Sequence, residues 1–270
     1  MRKIVLEWFC LQTKAWWFLG AVGFLLLGCE DVITMELREV DPQYVIVGEI
    51  NNQNKRHEIT IHRTVSLHAS STSNPVGGAE VQVTDGQGRA IRFFDEGNGR
   101  YLSGNFRGRI GETYTMQVEI EGREFIAHST MPAPMPVDSI GTTMGTFMGE
   151  DNRFITFKFY DPPNTPNYYR YLVNVNAGES RFISVFDDKF NDGKYVTHEL
   201  INFDFKLQPN DYVRVQRQFI DQATFLYWRS VSSANPTASA PANPPSNISN
   251  GALGYFSAHS MIEYDIYIPQ

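Results

Sequence analysis

Between Tyr44 and about Met131, apolar and polar residues alternate with period two. Ile59, Ile61, Val65 and Leu67 fall on one side of an extended chain, and Thr60, His62, Thr64 and Ser66 on the other. Successive strand side chains point to opposite faces, so the run predicts a half-buried strand. The pattern returns at Val81 and Val83, and at Tyr114, Met116, Val118 and Ile120 set against Thr113, Thr115, Gln117 and Glu119. Gly77-Gly78, Asp85-Gly86, Gly97-Asn98-Gly99 and Gly108 to Gly111 separate these runs and tolerate the positive φ of tight turns. Three prolines between Pro132 and Pro136 form a stiff connector. Beyond it, Ile155, Phe157 and Phe159, then Tyr169, Tyr171, Val173 and Val175, then Val213 and Val215, predict further strands, and Ile262, Tyr264, Ile266 and Ile268 a last one. The stretch Phe219 to Ser233 predicts one helix, capped by Asp221, with Ile220, Ala223, Tyr227 and Val231 as its buried stripe. Residues 232–250, rich in Ser, Ala, Asn and Pro, predict a long surface loop.

The expected fold is mainly β: two β-sandwich units, 43–131 and 137–270, joined by the proline linker 132–136, with one short helix in the second. Gly78-Ala79-Glu80-Val81-Gln82-Val83, Gly99-Arg100-Tyr101 and Gly111-Glu112-Thr113-Tyr114 resemble the carboxypeptidase regulatory-like and related immunoglobulin-like modules. That resemblance implies support or binding as their role.

The N-terminal segment changes the picture most. An apolar run from Ala15 to Gly28 follows Arg2, Lys3 and Lys14 and is short for a membrane span, the pattern of a secretory signal peptide over residues 1–28. The alternative, a signal-anchor helix kept in the membrane, is disfavoured by that length. Leu25-Leu26-Leu27-Gly28-Cys29 resembles the lipobox of bacterial lipoproteins, which implies lipidation of Cys29 and a tether over 29–42. Glu30 and Asp31 resemble the surface-export signal of Bacteroidetes lipoproteins; a plain acidic linker reads equally well. With residues 1–28 removed, Arg2, Lys3, Lys14 and Glu7 go too. The net charge then moves from −7 to −9, a poor match for nucleic acid, which is bound through basic patches. Cys10 and Cys29 are the only cysteines, so the processed chain has no disulfide pair. Trp228 is its one tryptophan.

Asp187, Asp188, Asn191 and Asp192 place four oxygen-bearing side chains beside Gly193, either as a calcium site or as an Asx-rich turn; no other cofactor is expected. Tyr168, Asn247 and Tyr255 are the candidate partner or ligand contacts, and Asp138-Ser139-Ile140 resembles an O-glycosylation acceptor at Ser139. The histidines are scattered, and no HExxH, GxSxG or Walker motif is present, so an enzyme is not expected.

One wider resemblance spans the processed chain. Its ordered elements are Tyr44 to Gly48, Gly78 to Val83, Gly111 to Tyr114, Phe159-Tyr160-Asp161-Pro162-Pro163, Asn167-Tyr168-Tyr169, Phe186-Asp187-Asp188, Asn191-Asp192-Gly193, Ser246-Asn247-Ile248 and Gly251 to Phe256. With the lipobox they resemble DUF4249, a family of Bacteroidetes outer-membrane lipoproteins. The resemblance implies an accessory protein on the outer membrane, facing the cell surface, that assists a TonB-dependent receptor in capturing a peptide or glycan nutrient. The alternatives are a structural or assembly subunit of an envelope complex and a surface hydrolase with an unrecognised site.

Overall fold

A computed structural model describes residues 41–65, 74–147, 149–201, 206–233 and 243–270. The leader, Cys29, Glu30 and Asp31 lie outside the described residues.

The described chain is mainly β, with a single helix. Before the proline segment run β1 (Tyr44–Asn51), β2 (Lys55–Arg63), β3 (Glu80–Thr84), β4 (Ala90–Asp95), β5 (Arg100–Phe106), β6 (Thr113–Ile120) and β7 (Arg123–Thr130). After it come β8 (Ser139–Phe147), β9 (Glu150–Tyr160), β10 (Tyr168–Val175), β11 (Arg181–Asp187), β12 (Tyr195–Leu200), β13 (Tyr212–Ile220), α1 (Gln222–Ser233) and β14 (Leu253–Tyr267). An eleven-stranded sheet has the order β11-β10-β13-β14-β1-β2-β5-β4-β3-β6-β7, and a three-stranded sheet the order β12-β9-β8. Among the described strands only β1 and β14 pair parallel; the other pairings are antiparallel.

Period two predicts the strands that bury one face. Ile46 lies opposite Ile61 and Gly48 opposite Ile59, so one row of side chains from β1 and β2 enters the first core, beside Val81, Val83, Tyr114 and Met116. A second core gathers Ile155, Phe157 and Phe159 of β9, Val196 and Leu200 of β12, and Tyr169, Tyr171, Val213 and Val215 of the large sheet. Of the expected strand, β2 ends at Arg63 and Val65 is exposed; Ser66 and Leu67 lie outside the described residues. The expected last strand begins well before Ile262. The first part of β14, residues 253–259, pairs with β1, and 260–267 pair with β13. One strand therefore carries the hydrogen-bonded ladder from the post-proline strands into the pre-proline ones. Gly254 sits at φ +95°, where an added Cβ would lie 2.0 Å from Ile46 O, so only glycine permits that approach.

The expected helix start at Phe219 is corrected: Phe219 and Ile220 complete β13, and α1 begins at Gln222. Asp221 caps it, its Oδ1 accepting from Thr224 N at 2.9 Å while its Oδ2 accepts from Ser129 Oγ at 2.6 Å. The deeply buried helix residues are Thr224 and Phe225, not the predicted stripe, because α1 lies across the large sheet and wedges Phe225 against Tyr168. Asp221→Ala removes both bonds and is expected to cost about 1–2 kcal/mol. Urea unfolding checks this; a loss under 0.3 kcal/mol would show the cap to be idle.

Candidate functional site

The polar cluster beneath α1 is built on one face of the large sheet. Alternation on β1 turns Val47, Glu49 and Asn51 away from the first core; the register sets Tyr255, Ser257 and His259 of β14 beside them. Antiparallel pairing brings Arg170 of β10 next to Gln218 of β13 on the same face. Arg170 Nη1 donates to Glu49 Oε1 at 2.6 Å, and the Tyr255 hydroxyl donates to the same oxygen. The guanidinium lies 4.0 Å from the centre of the Trp228 ring, a cation–π contact supplied by α1. Arg170 is 5 % exposed in its side chain and Glu49 34 %. Burial tends to raise the Glu49 pKa, but Arg170, His259 and the Tyr255 hydroxyl outweigh it and hold the carboxyl at about 2. Tyr255 is pushed up, first by burial and then by Glu49. His259 is lowered to about 4, by burial and Arg170 against the pull of Glu49.

Glu49 lies directly opposite Glu58 of β2, a like-charged cross-strand pair that would repel unrelieved. Each carboxylate has its own arginine: Arg170 serves Glu49, and Arg100 donates to both oxygens of Glu58 at 2.8 and 3.1 Å. On the open side a groove of about 300 Å³ runs past Val47, Glu49, Lys55, Arg56, Glu58 and Thr60. Its mixed-charge floor can take hydrogen-bonding groups of either sign. Beneath α1, Arg170 Nε, Gln218 Oε1 and His259 Nε2 are buried without protein partners.

A second polar cluster sits in the second core. Arg217, fully buried, lies 4.0, 4.8 and 4.9 Å from the ring centres of Phe159, Tyr169 and Phe219. It donates to Tyr171 Oη and Met135 O, and Tyr171 Oη and His198 Nδ1 are 2.9 Å apart. Burial, and then Arg217, lower the His198 pKa to about 3.

Tyr255, expected at the surface, is buried and spent on Glu49, because the loop before it lands on a central strand. Asn247 is half-buried and latches that loop, its Nδ2 donating to Phe256 O and its Oδ1 accepting from Phe256 N. Tyr168 is half-buried, its ring centre 5.0 Å from that of Phe225. Ser139 opens β8 and is exposed. Of the acidic turn, Asp188 and Asp192 converge, with Asp161 as their third carboxylate, and Asp187 is not among the three.

Other aromatics are exposed, among them Phe94, Phe190 and Tyr267, and also Tyr160 at 70 % and Tyr195 at 49 %. Tyr160 and Tyr195 face each other across the β9–β12 register, ring centres 4.8 Å apart at 58°, on the outer face of the small sheet. A proline-terminated strand marked Tyr160, but nothing local in the sequence marked its pairing with Tyr195. Among the described residues no helix is long and apolar enough to cross a membrane.

A family model described as "Domain of unknown function (DUF4249)" matches residues 30–264. No match was found among curated proteins. Among solved structures, the chain is similar to a DUF4785 family protein from Legionella pneumophila subsp. pneumophila, with 9 % identity, 65 % of this chain and 52 % of that chain covered, and a TM-score of 0.23. It is also similar to a pullulanase complexed with maltotriose from Anoxybacillus sp. LM18-11, with 12 % identity, 64 % and 24 % covered, and a TM-score of 0.21. The matches thus span about half the length of the first and a quarter of the second, and at these scores carry no argument about activity.

Proposed function

The chain belongs to the DUF4249 family, and from that premise we propose that it is a lipid-anchored outer-membrane accessory protein that helps a TonB-dependent receptor capture an extracellular peptide or glycan. The observation that carries this reading is the run Leu25 to Cys29: an apolar leader closing on Leu-Leu-Gly-Cys, immediately ahead of the residue at which the family match begins. A lipidated Cys29 followed by Glu30 and Asp31 fixes the protein to the outer membrane facing outward, with several acyl chains supplying an attachment that one chain cannot. In this reading 43–131 and 137–270 act as two immunoglobulin-like sandwich units on a short tether, with the proline linker between them.

Two surfaces support capture as the task. The Tyr160–Tyr195 pair offers aromatic area with little entropy left to lose, suited to stacking on a sugar ring or an apolar side chain. The groove beside Glu49 offers charges of both signs for polar ligand groups. The same exposed aromatics also favour a second reading, an assembly subunit that docks through them without a small ligand.

Affinity purification of the tagged full-length protein from detergent-solubilised outer membrane is expected to return a TonB-dependent receptor; Tyr160→Ala/Tyr195→Ala is expected to leave that recovery intact and to weaken peptide or glycan binding tenfold or more, whereas loss of the receptor would favour the assembly reading. Cys29→Ala is expected to move the protein from the membrane to the soluble fraction. A preparation that returns no receptor would sink the accessory role, and protection from protease on intact cells would place the protein on the periplasmic face.

A further inference from the structure

Asp161 directly follows β9 and begins the connection through Pro162 and Pro163; Asp188 and Asp192 lie in the turn after β11. One carboxylate oxygen from each lies within 4.8 Å of the other two. Gly193, at φ +67°, lets this turn pass Pro163, where an added Cβ would meet the proline Cβ at 3.1 Å. Two loops distant in sequence are thereby pressed together with three negative charges between them.

Asp161 is 3 % exposed. Its Oδ1 accepts from the Tyr169 hydroxyl at 2.6 Å, but its Oδ2 is buried with no partner. Asp188 Oδ2 accepts from Asn167 N at 2.8 Å. Lys194 Nζ donates to Phe190 O, and Arg217, which donates to Tyr171 and Met135, lowers the Asp161 pKa without overcoming burial and the two neighbouring acids that raise it. A buried carboxylate oxygen without a donor, beside two more carboxylates, is costly on both desolvation and repulsion. A cation relieves both at once.

We propose that Asp161, Asp188 and Asp192 hold a hard divalent cation of the calcium type. All three donors are carboxylate oxygens, the chemistry calcium takes at six to eight positions, and backbone carbonyls of the two loops with water complete the shell. The group contains no nitrogen or sulfur donor, which argues against zinc. Burial first, and then Asp188 and Asp192, raise the Asp161 pKa. The cation ties the connection after β9 to the turn after β11, and its site depends on neither the anchor nor the receptor.

Terbium luminescence tests this on the detergent-solubilised full-length protein. Tyr169 touches Asp161, so tyrosine excitation is expected to give saturable terbium emission that calcium displaces. Asp192 is exposed, so Asp192→Asn should fold, weaken terbium binding tenfold or more and abolish the calcium-induced rise in melting temperature. Asp187→Asn should leave both intact. The proposal is overturned if emission does not saturate, if Asp187→Asn weakens binding as much as Asp192→Asn, or if saturating calcium leaves the melting temperature at pH 7 unchanged, since the three acids would then share a proton instead of an ion.

Discussion

Glu49→Ala is expected to cost about 3–5 kcal/mol, and Arg170→Met clearly less, about 1–2 kcal/mol, although the two residues form one ion pair. The asymmetry follows from where each charge is left. Without Glu49, the Arg170 guanidinium stays 5 % exposed, its Nε already without a partner, and the Tyr255 hydroxyl loses its acceptor. Without Arg170, the Glu49 side chain, one-third exposed and lining the groove, can recover water while keeping Tyr255. A carboxyl held at about 2 adds a pH signature: its contribution is complete above the unfolded value near 4.5 and is lost as pH falls from there toward 2. The double variant Glu49→Leu/Arg170→Met should cost less than Glu49→Ala alone, because replacing both members of a buried pair by apolar groups avoids the stranded charge. Urea unfolding at pH 7 of the two single variants and the double decides it. Equal costs for the single variants, or a double variant as costly as their sum, would show that burial of Arg170 does not govern the site.

Where a strand buries one face, period two made it legible, as in β6 with Tyr114, Met116, Val118 and Ile120 all in the first core. The first half of β14 was illegible for the same physical reason. Every residue from Gly254 to Met261 is buried, because Phe256 and Ala258 face the first core while Tyr255 and His259 lie under α1, so polar and apolar residues no longer alternate. Tyr255 therefore read as a loop aromatic when it is a central-strand hydroxyl bonded to Glu49. The acidic turn was half legible: Asp188 and Asp192 stand out by local density, whereas Asp161 joins them only through a loop contact that sequence spacing does not record. The Glu49–Arg170 pair spans 121 positions and rests on three separate strand registers, β1 with β14, β14 with β13 and β13 with β10, so no local pattern announces it.

The described fold is expected to be acid-labile from about pH 6 downward, with histidines responsible before most carboxylates titrate. His57, His198 and His259 are all buried, and burial is the leading cause that lowers their pKa values to about 4, about 3 and about 4. Their unfolded values lie near 6.5. A lowered folded value means that the unfolded chain binds the extra proton first. The stability these groups confer is thus complete above pH 6.5 and drains as pH falls through 6.5 toward 4, and toward 3 for His198. The drop from 6.5 to about 4, and to about 3 for His198, corresponds to about 3–5 kcal/mol per histidine at about 1.36 kcal/mol per pH unit. Three together rival the 5–15 kcal/mol that typically separates folded from unfolded chains. Asp161 opposes them, since its raised value makes the folded state bind a proton sooner, but one acid does not offset three histidines. Burial leaves no cheap route to charging. Protonated His198 would face Arg217 across the Tyr171 hydroxyl that both contact, and protonated His57, although Phe106 O takes its Nε2, would leave a buried Nδ1–H without an acceptor in the field of Lys55. Stability measured in urea should fall by up to about 4 kcal/mol per pH unit between pH 6 and 5, the limit for uptake of three protons on unfolding. His198→Gln keeps an acceptor for Tyr171 but cannot titrate, and should lower that slope by up to one proton. A slope unchanged in His198→Gln would remove His198 from the account, and stability level from pH 7 to 5 would show that the buried imidazoles are reached by water and charge without unfolding.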